Sequence, residues 1–124
     1  LQRGVSDRQL LVFEKSQAMA RQLQRRFPGL TIVPEDAARI GFVRLGGFRI
    51  KAIVSSLPLR SLPPQEVKRI VKASAEMLNV GAKVIQFTYL FRSASPWLEA
   101  GMQKGSSEIV VGNCPPAKIE VFEK

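Results

Sequence analysis

Residues Val12 to Ala37 read VFEKSQAMARQLQRRFPGLTIVPEDA. Two short apolar runs, each closed by an acid, enclose a helical pattern. The first run reaches back to Gln9 and reads Gln-Leu-Leu-Val-Phe before ending at Glu14. Continuous apolar runs of this length suit a strand buried on both faces, as in parallel sheets. Ser16 stands where a helix N-cap belongs. Met19, Ala20, Leu23 and Phe27 then recur at helical spacing, and Pro28-Gly29 stops the helix. Leu30 to Val33 is the second run, closed by Pro34-Glu35-Asp36.

The same alternation continues outward. Ala37 to Ile40 reads as a short helical turn, and Phe48 to Val54 as a third strand ending in Ser55-Ser56. A proline-punctuated loop leads to a helix over Gln65 to Leu78, in which Val67, Ile70, Val71 and Leu78 share a face. Pro64 suits its first turn. Lys83 to Tyr89 is a fourth strand, and Pro96 to Gln103 a short helix. Glu108 to Val111 and Ala117 to Phe122 form two last strands, close enough to pair as an antiparallel hairpin. Strands alternating with helices imply an α/β fold with a largely parallel sheet, and the closing hairpin departs from it.

Composition narrows the chemistry. The 124 residues hold 45% apolar and 23% charged side chains, enough to bury a core. Nineteen Lys and Arg against ten Asp and Glu leave a formal charge of +9, which suits an anionic partner such as lipid headgroups or nucleic acid. Lys15, Arg21, Arg25 and Arg26 cluster on or near one helix. No apolar run reaches the ~18 residues of a membrane span, and no secretory h-region follows Leu1 to Gly4. The single cysteine, Cys114, excludes an intrachain disulfide and fits a reducing cytoplasm. With no histidine, a Ser-His-Asp triad or a His-ligated metal cannot arise within these residues, and no metal ligands are assigned.

Open parallel sheets bind ligands beyond the carboxyl ends of their strands. The polar residues expected there are Glu14, Glu35 and Asp36, Ser55 and Ser56, and the stretch from Tyr89 to Ser95. Glu14 and Asp36 lie 36 − 14 = 22 positions apart with one helix between them, which places them on adjacent strand ends at one rim. A strand-end acid can accept two hydrogen bonds from a ribose diol, and an acid on the next strand can reach the base. The pair also reads as two solvated acids capping helices, and spacing alone leaves both readings open. A nucleoside-binding sheet needs a glycine-rich turn ~20 residues before the first acid. That position falls before Leu1.

Two further segments sharpen the reading. IVSSLPLRSLPP (Ile53 to Pro64) followed by KVIQFTYLFRSASP (Lys83 to Pro96) resembles the bacterial phospholipid N-methyltransferase family. Those enzymes use S-adenosylmethionine to methylate phosphatidylethanolamine toward phosphatidylcholine. GNCPPAKIEVFEK (Gly112 to Lys124) looks like the hairpin that closes that family's domain, and Val12 to Ala37 is similar to acid-after-strand segments of the wider class I methyltransferase fold. The resemblance implies a Rossmann-like sheet of order 3-2-1-4-5-7-6, with strand 7 antiparallel. Residues 1–124 would form the C-terminal portion of one methyltransferase domain and supply strands 2 to 7, without strand 1 and its glycine-rich turn.

The resemblance also implies roles. Glu14 would hold the cofactor's ribose hydroxyls, Asp36 would accept from the adenine amino group, and the Ala37 N–H would face the ring. Ser55, Ser56 and Leu57 would line the floor near the transferable methyl. Tyr89 would border the acceptor as a catalytic residue, and Arg92 would bind a lipid phosphate. The partner would be a phospholipid headgroup at an anionic membrane surface, the location cytoplasmic and peripheral to the inner membrane. An rRNA adenine dimethyltransferase shares the fold, but its Asn-Pro-Pro-Tyr-like stretch after strand 4 is replaced here by Ser-Ser-Leu-Pro, Ser55 to Pro58. A basic lipid- or RNA-binding module without chemistry is the remaining alternative.

The coding sequence upstream of Leu1 is expected to encode a strand followed by Gly-x-Gly within about 30 residues, the length of one strand-helix unit. A stop codon there, or a start codon directly before Leu1, would contradict this.

Overall fold

The computed structural model describes residues 4–43, 49–89, 94–112 and 115–124. Its residues group into two compact units, Leu1–Ile40 and Gly41–Lys124.

The first unit is one strand-helix-strand turn. A 3-10 turn, Asp7–Gln9, leads into β1 (Leu11–Phe13). The Ser16 hydroxyl accepts the Met19 N–H and caps α1 (Gln17–Arg26), as its position in the sequence implies. β2 (Thr31–Val33) pairs parallel with β1, Leu11 opposite Thr31 and Phe13 opposite Val33. Ala20 of α1 and Leu30 before β2 are buried, whereas Met19 is 53% exposed. All three residues of β1 are half-buried rather than fully buried. Among the described strands only β2 pairs with it, which accounts for the difference. A second 3-10 turn, Ala37–Phe42, matches the expected turn and extends it.

The second unit is a four-stranded sheet with its helices. β3 (Ala52–Ser55) pairs parallel with β4 (Lys83–Thr88). β6 (Ala117–Glu123) runs antiparallel to both β4 and β5 (Gln103–Val110), giving the order β3-β4-β6-β5. The closing hairpin is therefore present. Its first strand begins five residues earlier than the sequence implies, at Gln103, and the short helix α3 (Pro96–Glu99) is correspondingly shorter. Every residue of β5 except Val110 is exposed, so it lacks the apolar alternation by which strands are read. The expected third-strand residue Phe48 lies outside the described residues.

α2 (Pro64–Met77) starts with Pro at its first position, where the missing N–H costs nothing. Val67, Ile70, Val71 and Leu78 are all buried, as their spacing implies. The helix ends on a cation: Lys124 Nζ donates to the Ala75 and Leu78 carbonyls, 2.6 Å from each. On the sheet, Val84 and Phe122 are opposite one another and fully buried. Trp97 of α3 is 1% exposed, and its Nε1–H donates to Gln86 Oε1 at 3.0 Å.

Trp97→Phe keeps most of the ring volume but orphans a buried carbonyl oxygen of Gln86. Stranding one buried acceptor costs roughly 1–3 kcal/mol. Urea unfolding should show a loss of that size.

Candidate functional site

In the first unit the carboxyl ends of β1 and β2 lie side by side. The Glu14 N–H donates to the Val33 carbonyl at 3.1 Å, continuing the ladder by one residue. Glu14 and Asp36 therefore share one rim, because parallel pairing aligns the ends of both strands. Each carboxylate also touches local backbone. Glu14 Oε1 accepts the Ser16 N–H at 2.7 Å, and Asp36 Oδ1 accepts the Ala38 N–H at 2.9 Å. Asp36 Oδ2 pairs with Lys15 Nζ at 2.6 Å. The capping contacts of the plainer reading are thus present, and on Glu14 they leave lone pairs for a ligand, since an ionised carboxylate has about four acceptor sites. Glu14 Oε2 has no partner among the described residues. Ala37 opens the 3-10 turn just beyond Asp36.

In the second unit a cleft of about 140 Å³ opens where β3 and β4 end. Ser56, Leu57 and Arg60 from the loop after β3 line it, with Gln86 and Tyr89 from β4 and its end, and Glu120 from β6. Three predicted residues, Ser56, Leu57 and Tyr89, therefore meet at one cleft. Tyr89 is half exposed, and its ring stands edge-on to Phe87 with centroids 5.1 Å apart. Ser55 is buried one residue before the lining, and its Oγ has no hydrogen-bond partner. Arg92 lies outside the described residues. The cleft is smaller than the ~300–1,000 Å³ of a site that encloses a drug-sized ligand. It has room for a reacting group rather than a whole nucleoside.

Two lining residues carry no signal as strand-end groups, Gln86 and Glu120. Ser55 is opposite Gln86, and Gln86 is opposite Glu120. Residues in register point to the same face, so these three form one polar row across three strands. All are buried: Ser55 is 7% exposed, Gln86 4% and Glu120 3%. Gln86 Nε2 donates to the Leu57 and Phe87 carbonyls, at 3.1 and 2.8 Å. Glu120 Oε1 pairs with Lys118 Nζ at 2.8 Å and Lys104 Nζ at 3.4 Å. Burial pushes the Glu120 carboxyl up, but the two ammonium groups outweigh it and hold it below the ordinary glutamate value. The available signal was a polar residue at an inward position of an alternating strand: Gln86 two residues after Val84, and Glu120 two before Phe122.

A bulge brings Lys104 to this carboxylate. The β5–β6 register passes from Lys104 opposite Phe122 to Ser107 opposite Glu120, so two β5 residues face Val121 alone. The extra residue puts both Lys104 and Ser107 on the Glu120 face. A Cβ at Gly105, within the bulge, would sit 3.4 Å from the Val121 carbonyl oxygen.

Among the described residues no three acids or thiols are placed to hold a metal ion, and no helix is long and apolar enough to cross a membrane. No protein-family model and no curated protein sequence matches the chain. Its fold is matched by solved structures. The N-methyltransferase NodS from Bradyrhizobium japonicum WM9, in complex with S-adenosylhomocysteine, superimposes with a TM-score of 0.71 at 16% identity, over 93% of this chain and 66% of NodS. A TehB-like S-adenosylmethionine-dependent methyltransferase from Corynebacterium glutamicum gives 0.68 at 13%, over 92% and 67%. The 1,6-didemethyltoxoflavin-N1-methyltransferase of Burkholderia thailandensis, with its substrate and S-adenosylhomocysteine bound, gives 0.67 at 11%, over 94% and 61%. The chain spans about two thirds of the length of these proteins.

The fold is thus the Rossmann-like α/β fold of class I methyltransferases, with its C-terminal antiparallel hairpin. The sheets β2-β1 and β3-β4-β6-β5 correspond to the 3-2 and 4-5-7-6 portions of the expected strand order. No described strand corresponds to strand 1.

Glu120→Gln should lower stability near neutral pH. A carboxyl whose folded pKa is depressed contributes fully above its unfolded value and loses that contribution as pH falls through the folded value. The gap between wild type and variant should therefore narrow as pH is taken below 4.5, the ordinary glutamate value. Urea midpoints measured across that range check it.

Proposed function

We propose that this chain is the greater part of an S-adenosylmethionine-dependent N-methyltransferase. The observation that carries the reading is the shared fold over nine tenths of the chain, with strand-end acids where a nucleoside would bind. Three of the superimposing structures are methyltransferases by name, and two hold the demethylated cofactor.

The residues present fit an adenosine. Glu14 offers an unpartnered carboxylate oxygen at a strand end, the acceptor a ribose diol requires. Asp36, which bonds the Ala38 N–H and Lys15, is assigned to the adenine amino group on the resemblance. Ala37 follows at the opening of a 3-10 turn, where a backbone N–H can face the ring. No glycine-rich turn follows a strand among the described residues, so the methionine end of the cofactor takes no assignment here.

When bound, the cofactor supplies an electrophilic methyl on a positively charged sulfur. The chain's part is positioning and exclusion of water. Ser56, Leu57 and Tyr89 form one wall of the acceptor cleft in this reading, while Ser55 supports the floor from below. Arg92 is assigned to an acceptor phosphate. The acceptor we favour is the amine of phosphatidylethanolamine, on the resemblance of the Ile53–Pro64 and Lys83–Pro96 segments. A charge of +9 and the exposed Arg21, Arg25 and Arg26 of α1 suit an anionic membrane surface.

Calorimetric titration with S-adenosylhomocysteine should show saturable binding, weakened by Glu14→Ala. A charge-assisted hydrogen bond contributes roughly 1.5–3 kcal/mol, so the affinity should fall about 10- to 150-fold. Absence of binding to the protein, upstream residues included, would sink the reading. Radiolabelled methyl should enter phosphatidylethanolamine vesicles and not rRNA. The reverse result would assign an RNA methyltransferase.

A further inference from the structure

Tyr89 lines the cleft just past the end of β4 and is 51% exposed. Its ring meets Phe87 edge-to-face, with the planes at 90°. Whichever ring gives its edge, at least one face of Tyr89 is left uncovered by Phe87. An aromatic face carries partial negative charge and attracts cations. The acid in the described lining is Glu120, and it is closed to a ligand: its side chain is 3% exposed, Oε2 is buried, and Oε1 is held by Lys118 and Lys104. A positive charge entering the cleft therefore meets an accessible aromatic ring and no accessible carboxylate among the described residues. Leu57 and Pro96 add apolar wall beside it.

We propose that Tyr89 presents its ring face to an alkylated ammonium in this cleft, so that the site holds a nitrogen more tightly as methyl groups replace its N–H bonds. The step rests on the methyltransferase reading above, in which that nitrogen belongs to the acceptor and its methylated product. An ammonium with three N–H bonds is strongly hydrated and needs hydrogen-bond acceptors to leave water. Each methyl removes one such need and adds apolar surface that Leu57 and Pro96 can cover. A cleft of about 140 Å³ has room for a head group of this size. Arg60 puts positive charge on the loop side of the lining, which disfavours a bare cation and favours one carried with an anionic group. The ligand class is thus a zwitterion that joins a methylated ammonium to a phosphate.

Calorimetric titration with three small phosphates tests this. They are phosphocholine, phosphoethanolamine and 3,3-dimethylbutyl phosphate, which has carbon in place of the nitrogen and so keeps the shape of phosphocholine without its positive charge. Phosphocholine should bind about 2- to 30-fold more tightly than the neutral isostere, the range expected for a cation over an aromatic face. It should also bind more tightly than phosphoethanolamine. Tyr89→Phe should keep the preference over the isostere, and Tyr89→Leu should remove it. Should the leucine variant fold poorly, fluorine placed on the ring at position 89 draws electrons from its face at nearly constant size, and the preference should fall with each fluorine. Equal binding of phosphocholine and the isostere in the wild type, tighter binding of phosphoethanolamine, or a preference that survives both Tyr89→Leu and fluorination would overturn the proposal. Short-chain phosphatidylcholine against phosphocholine, in the same titration, tells a lipid head group from a soluble one.

A parallel titration with S-adenosylhomocysteine separates the two ideas. Cofactor binding with no preference for phosphocholine over its isostere removes the ammonium site and keeps the methyltransferase. That preference without cofactor binding keeps the ammonium site and removes methyl transfer.

Discussion

The buried amide of Gln86 joins three parts of the second unit. Its oxygen takes the Trp97 indole proton, and its nitrogen holds the carbonyls of Leu57 and Phe87. One side chain thereby ties α3, the loop after β3 and the end of β4 together. Because it is buried, each of these bonds is stronger than in water, and each would be costly to leave unmade. The cleft exists because this amide holds its loop wall against its strand floor. An apolar residue at position 86 would pack as well against Val84 but would leave the Leu57 carbonyl and the loop without an anchor.

Glu120 is the complementary case. Gln86 is fully engaged, whereas its neighbour in register keeps one oxygen without a partner. Proteins that bury a charge without satisfying it lose stability, and such departures gather at functional positions. The surrounding structure maintains the departure at some length: a bulge in β5 turns Lys104 toward the carboxylate, and Lys118 approaches from its own strand.

The rim of the first unit works differently. Glu14 and Asp36 are partly accessible, and each already serves the local chain, one bonding the Ser16 N–H and the other the Ala38 N–H. Their readings as helix-end acids and as nucleoside ligands are compatible, because a carboxylate held by one backbone donor is pre-oriented for a second. The Lys15–Asp36 pair is exposed on the lysine side and contributes little to stability. Its effect is to fix where the Asp36 carboxylate points.

Alternation of short apolar runs with amphipathic helices was legible from residue order alone, as were the Ser16 cap, the buried face of α2 and the antiparallel end. These depend on periodicity and local hydrogen bonding, which neighbours along the chain determine. The shared rim of Glu14 and Asp36 was legible too, since two parallel strands joined by one helix must end on the same side. The length of β5 was not, because an exposed strand carries no apolar alternation and is held only by its partner. Nor was the Ser55–Gln86–Glu120 row, whose members lie 31 and 34 positions apart and meet only through strand register. Register between distant strands is decided by the whole sheet, so the cleft and the doubly paired Glu120 carboxylate belong to the tertiary structure alone.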